Sequence, residues 1–223
     1  MPDLYNVHTH TISSLTIDNY NIYSILNVYP IDYDSLPVQS LDDFFISVGI
    51  HPWYSEEAVE SDFNKLVNIA SVKQVLAIGE IGLDLLRGGD IHTQKSLFIR
   101  QIELANQIQK PIMIHCVKAW DDLIPIYKKY KKTSDWVIHG FRGGVNQAKQ
   151  LCDLGFKISI GEYYNKEALK CIPIDSLFLE TDVSKISILS VYQNISKDMD
   201  IELQELIAIV SQNVHNTFFK NRF

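Results

Sequence analysis

Cysteine is scarce in this chain of 223 residues: Cys116, Cys152 and Cys171 are odd in number, widely spaced and form no C-x-x-C pair. That usage implies reduced thiols in a cytoplasm. Apolar runs long enough to span a bilayer are absent. Met1-Pro-Asp-Leu-Tyr5 lacks the basic region and apolar core of a secretory signal, so no membrane association is expected. Positive charge is in deficit: 20 Lys and Arg stand against 27 Asp and Glu, a net charge of −7. This argues against a protein that coats long duplex nucleic acid. It leaves room for an enzyme whose metal ions supply local positive charge. Linkers, repeats and low-complexity segments are missing too. What is present is 46% hydrophobic, ordinary for a globular chain with a sizeable core.

Short apolar runs recur, and several end in a metal-ligand residue. Tyr5-Asn-Val leads to His8-Thr-His10, and Val75–Ile78 to Gly79-Glu80-Ile-Gly82. Pro111-Ile-Met-Ile leads to His115, Trp136-Val-Ile to His139, and Leu177-Phe-Leu to Glu180-Thr-Asp182. Each run reads as a buried strand, and the glycines after Ile78 read as its end. Further strands are expected over Tyr20–Tyr29, Phe45–Gly49 and Phe156–Ile160. Helical spacing is expected over 55–72, 91–108, 119–132, 145–154 and 165–171, and over 201–219 with a break near Ser211–Asn213. Ser40–Phe44 offers one or two turns. Strand–helix alternation from residue 45 onward implies parallel strands with right-handed crossovers. The expected fold is one domain over residues 1–223, a compact α/β barrel of the (β/α)8 TIM type with shortened first two βα units.

In such barrels active sites lie at the C-terminal ends of the strands. In H-x-H at a strand end, residues i and i+2 share a face and aim two imidazoles at one point. His8, His10, Glu80, His115, His139 and Asp182 all fall at strand ends in this reading. A buried carboxylate such as Glu80 needs a positive partner, and the histidines favour a metal ion over an Arg or Lys. Imidazole plus carboxylate suits Zn, Mn, Fe or Ni and tolerates Mg. Six ligands are too many for one ion with open positions. Two divalent ions with Glu80 as the bridge fit better, and such a pair activates water and holds the oxygens of a phosphoester. Lys118 and Arg142 follow the fifth and sixth expected strands and are the phosphate-binding candidates. His51, in Gly49-Ile-His-Pro52, either shapes its loop or contacts substrate. His92 and His215 read as solvated or structural.

These residues resemble the TatD family of metal-dependent deoxyribonucleases, within the amidohydrolase-like barrels. The family's D-x-H-x-H is matched by Asn6-Val-His8-Thr-His10, its G-x-H-P by Gly49–Pro52, and its I-G-E-x-G-L-D by Ile78–Asp84. Pro-x-x-x-His115, His139-Gly-Phe141-Arg-Gly143, Glu180-Thr-Asp182 and Asn216-Thr-Phe-Phe219 follow in family order. The resemblance implies the same six metal ligands, with Asp182 also acting on the attacking water. It departs at Asn6 (the family has Asp), at Val117-Lys118 (commonly an Arg) and at Ser184 (usually Pro).

The function so implied is a metal-dependent phosphodiesterase or deoxyribonuclease with Asp182 and Glu80 as catalytic carboxylates, two divalent ions (Mg, Mn or Zn), and DNA or a short oligonucleotide as substrate. Two rival readings stand beside it. One is an amidohydrolase-like enzyme acting on a C–N, ester or phosphomonoester bond. The other is a catalytically weak barrel used as a binding partner. The apolar outer side of Tyr20–Tyr29 needs a cover, either the C-terminal segment with Phe218, Phe219 and Phe223 or a second copy, which makes the chain a monomer or a homodimer.

Overall fold

Strand formation follows the apolar runs, with β1 at Asp3–Thr9, a two-residue β2 at Thr16–Ile17, β3 at Tyr20–Val28, β4 at Phe45–Val48 and β5 at Val75–Asp84. Then come β6 at Ile112–Val117, β7 at Trp136–Ile138, β8 at Lys157–Ile160 and β9 at Leu177–Leu179. The helices are α1 (Glu60–Ala70), α2 (Ile91–Ile108), α3 (Trp120–Tyr130), α4 (Val145–Asp153), α5 (Lys166–Leu169), α6 (Ile188–Met199) and α7 (Leu203–Phe218). The computed structural model describes residues 1–11, 15–36, 45–132 and 134–220. The turns expected over Ser40–Phe44, and Phe223, lie outside the described residues. Among those described, no α-helix precedes Glu60, as the shortened first units require. No helix is long and apolar enough to cross a membrane among the described residues. Contacts divide the chain into two compact units, Asn27–Trp136 and the flanking segments Met1–Leu26 with Val137–Phe223.

In the central unit, β4, β5 and β6 pair in parallel. β5 corrects an expectation. It does not stop at its glycines but runs ten residues to Asp84, buried throughout, so Glu80 lies inside the strand. The glycines serve close approach to β6. A Cβ on Gly79 would sit 2.4 Å from the Met113 Cβ, and one on Gly82 1.9 Å from the His115 carbonyl oxygen. Gly82 also has a φ of 148°, which L side chains rarely adopt. α2 buries Phe98, Ile102, Leu104 and Ala105. Its start is capped by Asp90, whose carboxylate accepts the His92 and Thr93 N–H groups. α1 begins five residues later than Ser55. Pro52–Tyr54 forms a 3₁₀ turn first, and the Asp62 carboxylate accepts the Val59 N–H at 3.0 Å, which fixes the helix start there.

In the flanking unit, β7 pairs β8 and β8 pairs β9, all parallel. A parallel bridge joins Thr9 to Asp182, and β1 pairs β3 in parallel from Asp3↔Asn21 to Thr9↔Leu26. β2 folds back antiparallel on β3. The sequence reading missed α6. Its Ile188, Val191, Tyr192 and Ile195 are buried at helical spacing, but serine, asparagine and β-branched residues weaken its intrinsic propensity. α7 is continuous where a break was expected. Asn213 turns inward and donates to the Ile174 and Leu177 carbonyls at 2.8 and 2.9 Å. Tyr5 stacks on Tyr23 at 5.4 Å, and Phe219 meets Tyr5 edge-on at 6.4 Å. The Gln204 amide donates to the Tyr20 hydroxyl at 2.9 Å. The end of α7 thus supplies part of the cover expected for the Tyr20–Tyr29 wall.

Candidate metal centres

β1 carries Asn6 and His8, with a register shift against β3 between Asn6 and Thr9, and His10 follows its last residue. Its backbone is stitched to the residue after Thr181: the Asp182 N–H donates to the His8 carbonyl at 3.0 Å, and the His10 N–H to the Asp182 carbonyl at 3.3 Å. Asp182 holds a left-handed φ of 53°, which aspartate tolerates better than most residues. Asn6 locks the segment further. Its Nδ2 donates to Thr181 Oγ1 at 2.8 Å, and its Oδ1 accepts the Thr181 N–H at 3.0 Å. His8 Nε2 and His10 Nε2 then lie 3.7 and 3.5 Å from Asp182 Oδ1. Donors that each sit about 2.1 Å from a common ion lie roughly 3–4 Å apart, so this spacing fits one divalent ion. His8 is fully buried, whereas the His10 side chain is 36% exposed, which leaves the trio open on one side.

His139 stands by this trio, its ring 4.3 Å from that of His8. Glu180, fully buried, holds His139 Nδ1 at 3.3 Å, which leaves Nε2 as the ligand end. Burial pushes the Glu180 carboxyl up, but His139, His8 and Ser159 outweigh it and hold it below the usual carboxylate range. Glu180 was quoted in the E-T-D motif and assigned no role. The available signal was an acidic residue directly after a three-residue apolar strand.

The second group belongs to the central unit. Glu80 Oε1 lies 3.1 Å from His51 Nε2 and 2.7 Å from His115 Nδ1, and the three residues can hold an ion. Asn27 orients the glutamate, its Oδ1 accepting the Glu80 N–H at 2.6 Å. His115 Nε2 meets Asp84 Oδ2 at 3.1 Å, which fixes the ring and turns Nδ1 toward Glu80. His51 differs. Its Nδ1 accepts the Trp53 N–H at 3.1 Å, so in the ion-free ring the proton sits on Nε2 and points at Glu80, where a bound ion would replace it. His51 therefore both shapes its loop and donates to Glu80.

Asp84 is the residue sequence reasoning missed most completely. Its Oδ1 accepts the Leu86 and Arg87 N–H groups at 2.7 and 3.1 Å, and its Oδ2 the Trp53 indole N–H at 2.6 Å. Burial pushes its carboxyl up, but the bonds from Trp53, Leu86 and His115 prevail and hold it below the usual range. Of the phosphate candidates, Arg142 lines a cavity of about 390 Å³ together with Glu180, Asp182 and Lys185. Lys118 stands exposed after β6 with a left-handed φ of 57°. Two of the cysteines are poor nucleophiles, because burial pushes Cys116 up to about 12 and Cys152 up to about 11.

The chain was compared with known proteins. The family model described as "TatD related DNase" matches residues 36–219. An "Uncharacterized metal-dependent hydrolase" of Haemophilus influenzae is 32% identical, over 80% of this chain and 80% of its own length. The "3'-5' ssDNA/RNA exonuclease TatD" of Pantoea ananatis is 31% identical, over 61% of this chain and 56% of its own length. Among solved structures, a TatD family hydrolase from Entamoeba histolytica superposes with a TM-score of 0.79 at 21% identity, covering 97% of this chain and 98% of that one. At that identity the likeness shows the fold, a TIM-type α/β barrel, as the strand–helix alternation implied.

Proposed function

The chain belongs to the TatD-related DNase family of metal-dependent hydrolases, and from that premise we propose that it cleaves phosphodiester bonds in single-stranded DNA with two bound divalent ions. The observation that carries the reading is the convergence of His8, His10 and Asp182 at ion-ligand spacing. His51, Glu80 and His115 supply the second group. The name of the Pantoea relative supports a single-stranded nucleic acid as substrate. Bound at these groups, the ions supply Lewis-acid activation of water and charge neutralisation at the phosphate.

The chain's own groups do the rest. Asp182 presents Oδ1 to the two imidazoles, which leaves its other carboxylate oxygen to take the proton of the attacking water. Glu180 holds the His139 ring by Nδ1, so that its orientation is set before substrate arrives. Asn27 holds Glu80 from both sides, accepting its backbone N–H and donating to Oε2. Arg142, in the cavity beside Asp182, offers a planar fork to a phosphate oxygen, and Lys118 offers a second positive charge. Three free thiols support work in a reducing compartment.

Two measurements test the reading. Elemental analysis after reconstitution with Mn or Zn should approach two ions per chain. A panel of single-stranded DNA, RNA, small phosphoesters and amides with Mg, Mn and Zn should show phosphodiester turnover. Glu80→Ala and Asp182→Asn should each lose more than about tenfold of it, a barrier change above ~1.4 kcal/mol. A metal-loaded protein that turns over amides or phosphomonoesters and leaves every phosphodiester intact refutes the proposal.

A further inference from the structure

The loop after β5 carries a cation that none of the roles above uses. Arg87 is exposed, and its guanidinium carbon lies 4.7 Å from the centroid of the Trp53 ring. Among the described residues no carboxylate forms an ion pair with it. The loop is held from within. Asp84 Oδ1 accepts the Leu86 and Arg87 N–H groups. The Gln94 amide donates to the carbonyls of Asp84, Arg87 and Gly89, while its oxygen accepts the Asp84 N–H at 2.8 Å. Trp53 is fixed by the same carboxylate through its indole N–H at 2.6 Å. Its ring meets His51 at 4.8 Å and His115 at 5.9 Å. One aspartate thus sets the positions of His115, the indole and the Arg87 backbone together.

An arginine stacked on an indole has given up much of its rotamer freedom while its in-plane donors stay available. Those donors match a phosphate in bidentate fashion. The surroundings are unusual for a solvated loop: Trp53 is 39% exposed, Leu85 50% and Leu86 70%. A cation on an aromatic plate with apolar neighbours suits a nucleotide strand, which presents phosphate and flat base alternately. We propose that Arg87, carried on Trp53, binds a backbone phosphate of the substrate strand beside the His51–Glu80–His115 group. The proposal rests on the oligonucleotide reading above and assigns that substrate a contact outside the metal ligands.

The test uses the metal-loaded full chain and an oligodeoxynucleotide, with bis(p-nitrophenyl) phosphate as a diester that has no strand. Arg87→Gln should raise KM for the oligonucleotide about tenfold, the worth of a charge-assisted hydrogen bond, with the effect on KM rather than kcat. The slope of log KM against log salt should flatten by about 0.7, one phosphate contact on a single strand. The small diester should be cleaved as by the parent. Arg87→Lys should restore the salt slope and only part of the KM. Trp53→Ala should raise KM well above that of Trp53→Phe, which keeps a ring under the guanidinium. An unchanged salt slope in Arg87→Gln overturns the proposal, as does an equal loss on both substrates. A parent enzyme that cleaves the small diester and no oligonucleotide overturns the nucleic-acid reading itself, and this contact with it.

Discussion

Asn6→Ala removes a side chain that is 2% exposed and makes two hydrogen bonds to Thr181. Each bond contributes about 1 kcal/mol net, and the Thr181 N–H, left buried without its acceptor, costs ~1–3 kcal/mol. The expected total is about 3–5 kcal/mol, a fall in Tm of roughly 6–20 °C for a chain of this size. Thr181 precedes Asp182, so the same change loosens a proposed ligand. Affinity for Mn or Zn at the His8–His10–Asp182 group should fall about tenfold, the usual effect of removing a side chain that orients a ligand. Asn6→Asp is the control. An aspartate keeps the acceptor for the Thr181 N–H, and the threonine hydroxyl can turn to donate into it, so the loss should be under half that of alanine. The assay is thermal unfolding of metal-free protein by circular dichroism, followed by ion titration by calorimetry. A melting point of Asn6→Ala within about 2 °C of the parent, below the smallest shift worked out here, would refute the assigned latch.

Gly82→Ala places a methyl group 1.9 Å from the His115 carbonyl oxygen at a φ of 148°. It should destabilise by more than about 4 kcal/mol in urea unfolding, and parent-like stability would show that β5 and β6 are not packed as described. Glu180→Gln keeps the shape but weakens the hold on His139, so Mn affinity in the flanking unit should fall about tenfold or more; unchanged affinity would remove Glu180 from the centre. The Asp198 carboxyl is held below its ordinary value by hydrogen bonds from Tyr164 at 2.6 Å and Lys166 at 2.9 Å. A depressed folded-state pKa means stabilisation that is present above the unfolded value of about 3.9 and lost as pH falls through the folded one. Asp198→Asn should therefore melt below the parent at neutral pH and converge with it in acid, and a gap that persists in acid would contradict the linkage.

The strands that carry His8, His10, His115, His139 and Asp182 were legible because each is a short apolar run ended by a polar ligand type. The alternation around them gave the fold class that the structural likeness bears out. What escaped has physical reasons. The glycines of β5 look like breakers, yet they are required where β6 runs within a methyl group's reach. Asp84 enters the sequence reading only as the last residue of the I-G-E-x-G-L-D motif, with no role of its own. Its meaning comes from Trp53 and His115, which are distant in sequence. Asn27 likewise shows its role only through Glu80. α6 was hidden because its buried face is encoded by tyrosine and β-branched residues instead of strong helix formers.

The latch between Asn6 and Thr181 spans 175 residues of chain, whereas His115 and Glu80 are 35 apart. Closing the longer loop costs about 1.4 kcal/mol more in chain entropy, and contacts of such separation form slowly. During synthesis the residues of the central group have all emerged while Asp182 is still unmade. The two side-chain groups therefore mature on different clocks. The Glu80–His115 pair can form before Asp182, which lies 3.7 and 3.5 Å from His8 and His10, has been made. The His8–His10–Asp182 group is the last to close, so on the proposed function turnover should appear only once the whole chain has folded.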